Sequence, residues 1–211
     1  MLLDSSPGND AVEKVALFES MIKGETFAFF DVEDFELIIE YYLELDFKKK
    51  AKKALEIALE QYPIDLALTL IKIEFLNSSQ RFDESLKALN NLNKFHPNNI
   101  DVVLGLGRLY SLMENKPHAI KYLNHAHDLI LLDSSYNDHL HDLSYEFIQI
   151  GKFDSAIKVL KQILSFKPND ETVMMELGVA YHESGKFQES VNYFKEVIDG
   201  NPYSHIEHGS I

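Results

Sequence analysis

Cysteine and tryptophan are both absent from the 211 residues. Without cysteine there is no disulfide, no thiol nucleophile and no thiolate metal ligand. Long apolar runs are missing too. None approaches the ~18 residues a membrane-spanning helix needs. The opening MLLDSSPGND has neither the basic start nor the apolar stretch of a secretory signal. Cations are scarce: 20 Lys and Arg stand against 34 Asp and Glu, a formal net charge of −14. Such a chain repels nucleic-acid phosphates and acidic membranes, so neither is expected as a partner. The same charge favours basic partners, or simply solubility. No G-x-S-x-G, P-loop, H-E-x-x-H or glycine-rich dinucleotide turn occurs. Carboxylate pairs abound, but on a charged surface they carry no information about acid/base chemistry. No enzyme activity and no cofactor are therefore expected. What is present is an ordinary folding composition, 45% hydrophobic and 26% charged, too apolar for a disordered chain.

The dominant signal is a repeat. Pro63, Pro97, Pro168 and Pro202 are spaced by 34, 71 and 34 residues, and close the similar phrases ALEQYP, LNKFHP, ILSFKP and VIDGNP. Proline cannot continue a helix, so each marks a helix stop. Between prolines the apolar residues recur at helical spacing. Leu177, Tyr181, Phe187, Phe194 and Val197 in the last unit match Leu143, Phe147, Phe153, Leu160 and Ile163 in the one before. Each unit thus reads as two amphipathic helices joined by a short turn. Ala51, Ser85, Ala119, Ala156 and Ser190 fall at one place in the second helix, faced by Gly107, Ser144 and Gly178 from the first. Backbones approach closely only where side chains are small. Gly151 and Gly185 suit a left-handed helix end at the turn. Asp83 and Asp154 place an acid near second-helix starts, which the helix dipole favours. One hairpin cannot bury its apolar face alone, so neighbours must stack.

This pattern resembles the tetratricopeptide repeat (TPR) family over roughly residues 32–204. The resemblance implies an all-α fold: a right-handed α-solenoid of about five TPR helix-turn-helix repeats with an N-terminal capping helix. The units fall at about 32–65, 66–99, 100–136, 137–170 and 171–204. The last two match closely. The first two depart: Ile39 and Ile73 take the small-residue place, Lys72 takes a normally apolar place, and Phe47 sits one residue early. Phe35, Thr69, Val103, Leu140 and Met174 stand where the family often carries Trp. Three extra residues near Asp133-Ser134-Ser135 predict a longer loop after the third unit. The resemblance further implies a cytoplasmic, bacterial, multi-repeat protein.

Residues 1–9 are expected to be disordered, and 10–31 to form a capping helix and a link. Asp10 with Glu13 reads as its capping box, Val12, Val15, Phe18 and Ile22 form one face, and Gly24 ends it. Thr26–Phe30 is expected to pack under the first repeat, the alternative being an exposed hydrophobic patch for a partner. Residues 205–211 read as a tail, or as the start of a truncated further repeat.

In TPR arrays the first helices line a concave groove that holds a peptide or helix. Mapped here, that groove carries Glu36, Glu40, Glu44, Glu74, Asp101, Asp138, Asp142, Glu176 and Glu183. Arg108 is its one cation, and Leu104, His141, Tyr145, Val179 and His182 add less charged contacts. The resemblance then implies a scaffold or adaptor binding a basic or amphipathic peptide in an acidic groove. A TPR subgroup that grips carboxylate termini with Lys, Arg and Asn is excluded by these acids. The competing reading is an architectural or self-assembling segment of a larger array, associating through its C-terminal repeat, or a regulatory domain of a larger protein. Five of the nine His (His118, His125, His127, His139 and His141) crowd the middle. His125/His127 and His139/His141 are two apart and point to different faces, so no metal site is expected. The run Lys48–Lys53 begins a second helix and reads as a solvated face that opposes the helix dipole.

Overall fold

The structure, a computed structural model, describes residues 7–200. Among the described residues there are eleven α-helices, one 3-10 helix and no strand. In chain order they are α1 (Pro7–Ile22), α2 (Val32–Glu44), α3 (Lys48–Gln61), α4 (Leu66–Ser78), α5 (Phe82–Phe95), α6 (Ile100–Leu112), α7 (Lys116–Leu132), the 3-10 helix (Ser134–His139), α8 (Leu140–Gln149), α9 (Phe153–Phe166), α10 (Glu171–Glu183) and α11 (Phe187–Gly200). The chain forms two compact units, divided within α5 between Ala88 and Leu89.

Local chemistry explains the helix starts. Asp31, Asp65, Asn99 and Asp170 cap α2, α4, α6 and α10, and recur at spacings of 34, 34 and 71 residues. Each side chain accepts from the backbone N–H three residues on: Asp34 at 2.9 Å, Leu68 at 2.9 Å, Val102 at 3.0 Å and Val173 at 3.1 Å. Each satisfies one of the N–H groups a helix start leaves unpaired. In the fourth repeat this place holds Tyr136, which cannot cap. There the chain makes the 3-10 helix instead, where Asp133 accepts from Ser135 N–H at 2.9 Å, and α8 begins only at Leu140. The longer loop expected near Asp133 is thus an ordered connector.

The hairpin turns are equally regular. Asp46, Gln80, Glu114, Gly151 and Gly185 all have positive φ, between 56° and 76°. They follow the first helices at spacings of 34, 34, 37 and 34 residues. After α8, Gly151 N–H donates to Ile148 O at 2.9 Å and Lys152 N–H to Phe147 O at 2.8 Å. The other four turns repeat this pair of bonds, which defines the Schellman helix stop. Only two of the five use the glycine that this conformation favours.

In the first unit, Phe18 of α1, Phe30 of the link and Phe35 of α2 form an aromatic triad with ring centroids 5.6–6.1 Å apart. Tyr62 closes it: its hydroxyl donates to Phe30 O at 3.0 Å. Lys50 binds Glu19 of α1 at 2.6 Å, and Tyr42 OH donates to the same carboxylate at 3.1 Å. The Lys50 hydrogen bond, assisted by Tyr42, holds the Glu19 carboxyl below its usual range. One member of the lysine run therefore ties α3 to the N-terminal helix. Two expectations need correction here. Residues 7–9 are helical, so Asp10 lies inside the first turn of α1 and not at its cap. The link carries no helix, and only part of it packs inward: Phe30 is buried while Phe27 and Phe29 are exposed. Phe47, one residue early, becomes the exposed residue preceding α3. The expected tail at 205–211 lies outside the described residues, as do residues 1–6.

The small-residue register is the closest contact in the hairpins. Ala51, Ser85, Ala119 and Ala156 have no exposed surface, and Ser190 almost none. Ser190 Oγ donates to Gly178 O at 2.7 Å, so here side chain and facing backbone touch. A Cβ on Gly178 would overlap the Phe194 ring, and one on Gly107 would lie 2.6 Å from Leu123 Cδ2. In the second repeat Ile73 takes the glycine's place, and the buried Ser85 hydroxyl has no partner. In the second unit the residues between these contacts form one continuous core from Ile100 to Tyr181. Two stacked tyrosine pairs, Tyr110–Tyr122 at 5.6 Å and Tyr181–Tyr193 at 5.5 Å, stand at matching positions of their repeats.

Urea denaturation reads two consequences for stability. Ala156→Phe should overpack α9 and cost ~1–3 kcal/mol, whereas Lys53→Ala, on an exposed face, should stay within about 0.5 kcal/mol. Equal effects would show the facing assignments to be wrong. Glu114→Gly should stabilise by ~1 kcal/mol, because it removes the left-handed penalty of a side chain at φ 56°. A loss of stability would show that the turn does not hold that geometry in solution.

Candidate functional site

The expected groove residues come from the first helices of the hairpins. In the first unit, α2 carries Glu36, Glu40 and Glu44, and α4 carries Glu74. Their spacing of four along α2 stacks three carboxylates on one face. Glu40, Glu44 and Glu74 are exposed, while Glu36 is half-buried. Burial raises the Glu36 carboxyl above its usual range, and the nearby charges of Asp65, Glu33 and Glu40 push it the same way. No cation bridges it among the described residues.

In the second unit, α6, α8 and α10 supply the rest. Asp101, Leu104 and Arg108 lie along α6. His141, Asp142 and Tyr145 lie on α8, and Glu176, Val179, His182 and Glu183 on α10. Asp138 falls in the 3-10 helix before α8. Leu104 is buried in the core and is a floor residue only, whereas Tyr145 and Val179 are exposed. His139 Nδ1 lies 3.9 Å from Asp101. His182 Nδ1 lies 3.3 Å from its neighbour Glu183.

Arg108 is not a lone cation. Its Nε donates to Glu146 Oε1 at 2.7 Å, and its guanidinium lies 3.7 Å from Asp142. The Arg108 side chain is 44% exposed and that of Glu146 only 6%. The pair therefore joins α6 to α8, with the acid in the floor and the cation at the surface. Removing Arg108 would leave a buried carboxylate uncompensated.

Sequence reasoning passes over Glu146. Its register holds Leu109 in the preceding repeat and Ala180 in the following one, both fully buried. A carboxylate at an apolar register needs a cation, and that mismatch is the available signal. Met175, exposed on α10 between the acids, also escapes the sequence pattern.

Glu176 is the counterpart of Glu36 in this unit. It is half-buried and unbridged among the described residues. Desolvation raises its carboxyl; His141 opposes this, and Asp170 adds to it. In this unit the surface thus combines the raised Glu176 carboxyl, unbridged among the described residues, with the exposed apolar residues Tyr145, Met175 and Val179. Such an arrangement can hold a side chain that is both cationic and long-stemmed. Among the described residues no group of three or more His, Asp or Glu is placed to hold a metal ion. No described helix is long and apolar enough to cross a membrane.

A family model described as tetratricopeptide repeat matches residues 141–205. Solved structures resemble the fold over most of the chain. A crystal structure of MamA is 20% identical, with a TM-score of 0.58, covering 84% of this chain and 95% of that one. A second MamA structure is 22% identical, with a TM-score of 0.57 and coverages of 82% and 95%. A Podospora anserina kinesin light chain with nearly identical TPR-like repeats is 15% identical, with a TM-score of 0.64 and coverages of 80% and 93%. At these identities the likeness speaks for the fold alone. The tetratricopeptide match covers residues 141–205, and the chain as a whole has the all-α solenoid fold of these repeat-built neighbours.

Proposed function

We propose that the protein is an interaction scaffold that holds a basic, amphipathic segment of a partner protein against its first helices. One observation carries this reading: each unit holds a half-buried carboxylate on a first helix, Glu36 in the first and Glu176 in the second, raised by desolvation and bridged by no cation among the described residues. Such groups are unfavourable in the free protein. A Lys or Arg from a partner would stabilise either one, and at Glu176 its alkyl stem would lie on apolar surface such as Tyr145 and Val179. The exposed Glu40, Glu44, Glu74 and Glu183 would steer the encounter. Arg108 would act as a fixed element, since Glu146 holds it. This reading involves no catalysis and no cofactor, and it suits a cytoplasmic protein.

A second reading is self-association through the last repeat. It draws on Phe187 and Val191, two exposed apolar residues one turn apart on α11. Sedimentation decides it: a mass of one chain across a wide concentration range would dismiss it.

Selection from a random peptide library should enrich segments that combine Lys or Arg with apolar residues. Their affinity should fall as salt rises. The triple change Glu40→Lys, Glu74→Lys and Glu176→Lys should abolish binding while the circular dichroism stays helical. Enrichment of acidic peptides, or unchanged affinity in that variant, would refute the site.

A further inference from the structure

Two lysines that the scaffold reading does not use stand at registers where the other repeats are apolar. Lys72 on α4 occupies the place held by Ile38, Leu106, Leu143 and Leu177 in the other repeats, all four of them fully buried. Lys52 on α3 occupies the place of Leu86, Ile120, Ile157 and Val191. Of these, Ile120 packs against the core and Ile157 is itself buried in it. Both lysines are exposed, and no carboxylate bridges either of them among the described residues.

The two departures, twenty residues apart in sequence, line the same cleft. It lies within the first unit, walled by α3, the second half of α4 and the first turn of α5. Its volume is ≈ 460 Å³, within the usual range for small-molecule sites. Leu55, Leu59, Phe75 and Leu76 supply apolar wall; Leu55 and Leu76 are buried, and Leu59 and Phe75 half-buried. None of the expected groove residues takes part. The cleft exists where two apolar side chains would otherwise fill the junction.

The rim also carries acids, and their partners decide its charge. Arg81 and Glu84 close on each other through two bonds, at 2.7 and 2.6 Å. Glu56 lies 4.0 Å from Lys53. That leaves Glu56 and Glu60 beside Lys52 and Lys72, so the rim is formally balanced, and these two lysines are its cations that no described carboxylate bridges. We infer that this cleft is a binding site for a small amphiphilic carboxylic acid, its apolar body on the leucines and Phe75 and its carboxylate on Lys52 and Lys72. The two ammonium groups offer charge-assisted hydrogen bonds, and the burial of the hydrocarbon adds about 0.8 kcal/mol per CH2.

The test uses octanoate and its uncharged counterpart 1-octanol on the full chain, followed by methyl NMR. Octanoate should shift the Leu55, Leu59 and Leu76 methyl signals saturably, and bind roughly tenfold more tightly than octanol, as a charged hydrogen bond implies. Lys52→Gln with Lys72→Gln should remove that advantage and leave octanol binding unchanged. Lys72→Leu, which restores the residue of the other repeats, should close the cleft and abolish both. The inference is overturned if octanoate leaves these methyls unmoved. It is also overturned if octanol binds equally well, or if the double glutamine variant keeps the wild-type preference. Because the comparison of the two ligands is made on the wild-type chain, misfolding of a variant would not rescue the idea. Groove binding of basic peptides is untouched by any of these outcomes.

Discussion

Two helix backbones can approach closely only where one side chain between them is nearly absent, and this constraint orders the rest of the protein. Ala51, Ala119 and Ala156 meet it with a methyl group, and Ser190 meets it with a hydroxyl that reaches the facing Gly178 carbonyl. Once a hairpin is clamped at this point, its remaining apolar residues can be buried only against neighbouring hairpins. That is why the core of the second unit runs on from Ile100 to Tyr181 instead of forming separate islands. In the second repeat the constraint is relaxed, and the cost is visible. With Ile73 at the contact, Ser85 is buried but unbonded, a group that costs stability without an offsetting hydrogen bond.

The architecture was legible because the constraint repeats at a fixed interval, and a fixed interval survives degenerate residues. The prolines and the small residues both report 34, with one longer step. Boundaries were less legible where the same job can be done by different chemistry. A helix start needs an acceptor, and Asp31, Asp65, Asn99 and Asp170 supply it on schedule. Tyr136 does not, and nothing in its identity foretells a 3-10 turn in its place. A Schellman stop needs positive φ, which glycine announces at 151 and 185. Asp46, Gln80 and Glu114 adopt it because the hairpin closes around them, a tertiary demand that overrides local preference. In the link Thr26–Phe30, apolar composition suggests burial, but a segment outside the helices turns only some of its side chains inward. Phe30 is buried while Phe27 and Phe29 are not.

The expected site was legible in part for the same reason. Residue type and register place acids on the first helices, but they do not say which of those acids are already satisfied. By type and register Asp142 is an open groove acid, yet it lies beside Arg108. By the same criteria Arg108 is a solitary cation, yet it is committed to Glu146. Desolvation, which depends on neighbours far away in sequence, separates Glu36 and Glu176 from the other carboxylates.

Charged residues at apolar registers have two fates here, and the difference is one of partnering. Glu146 replaces Leu109 and Ala180 of its neighbours and remains buried, because Arg108 on the adjoining first helix reaches it at 2.7 Å. The exchange keeps the packing closed and converts an apolar contact into an ionic one. Lys72 replaces Leu106, Leu143 and Leu177 and finds no such partner among the described residues. An ammonium group without a counter-ion cannot remain in a dry junction, since its desolvation is far more costly than the lost packing. It turns out to solvent, and Lys52 across the junction does the same. The space they leave keeps its leucine walls and acquires two unbridged lysines at its rim. A repeat array tolerates this because each repeat is stabilised chiefly by its immediate neighbours. One open junction weakens the fold locally, whereas in a single-core globule the same two lysines would disturb every layer.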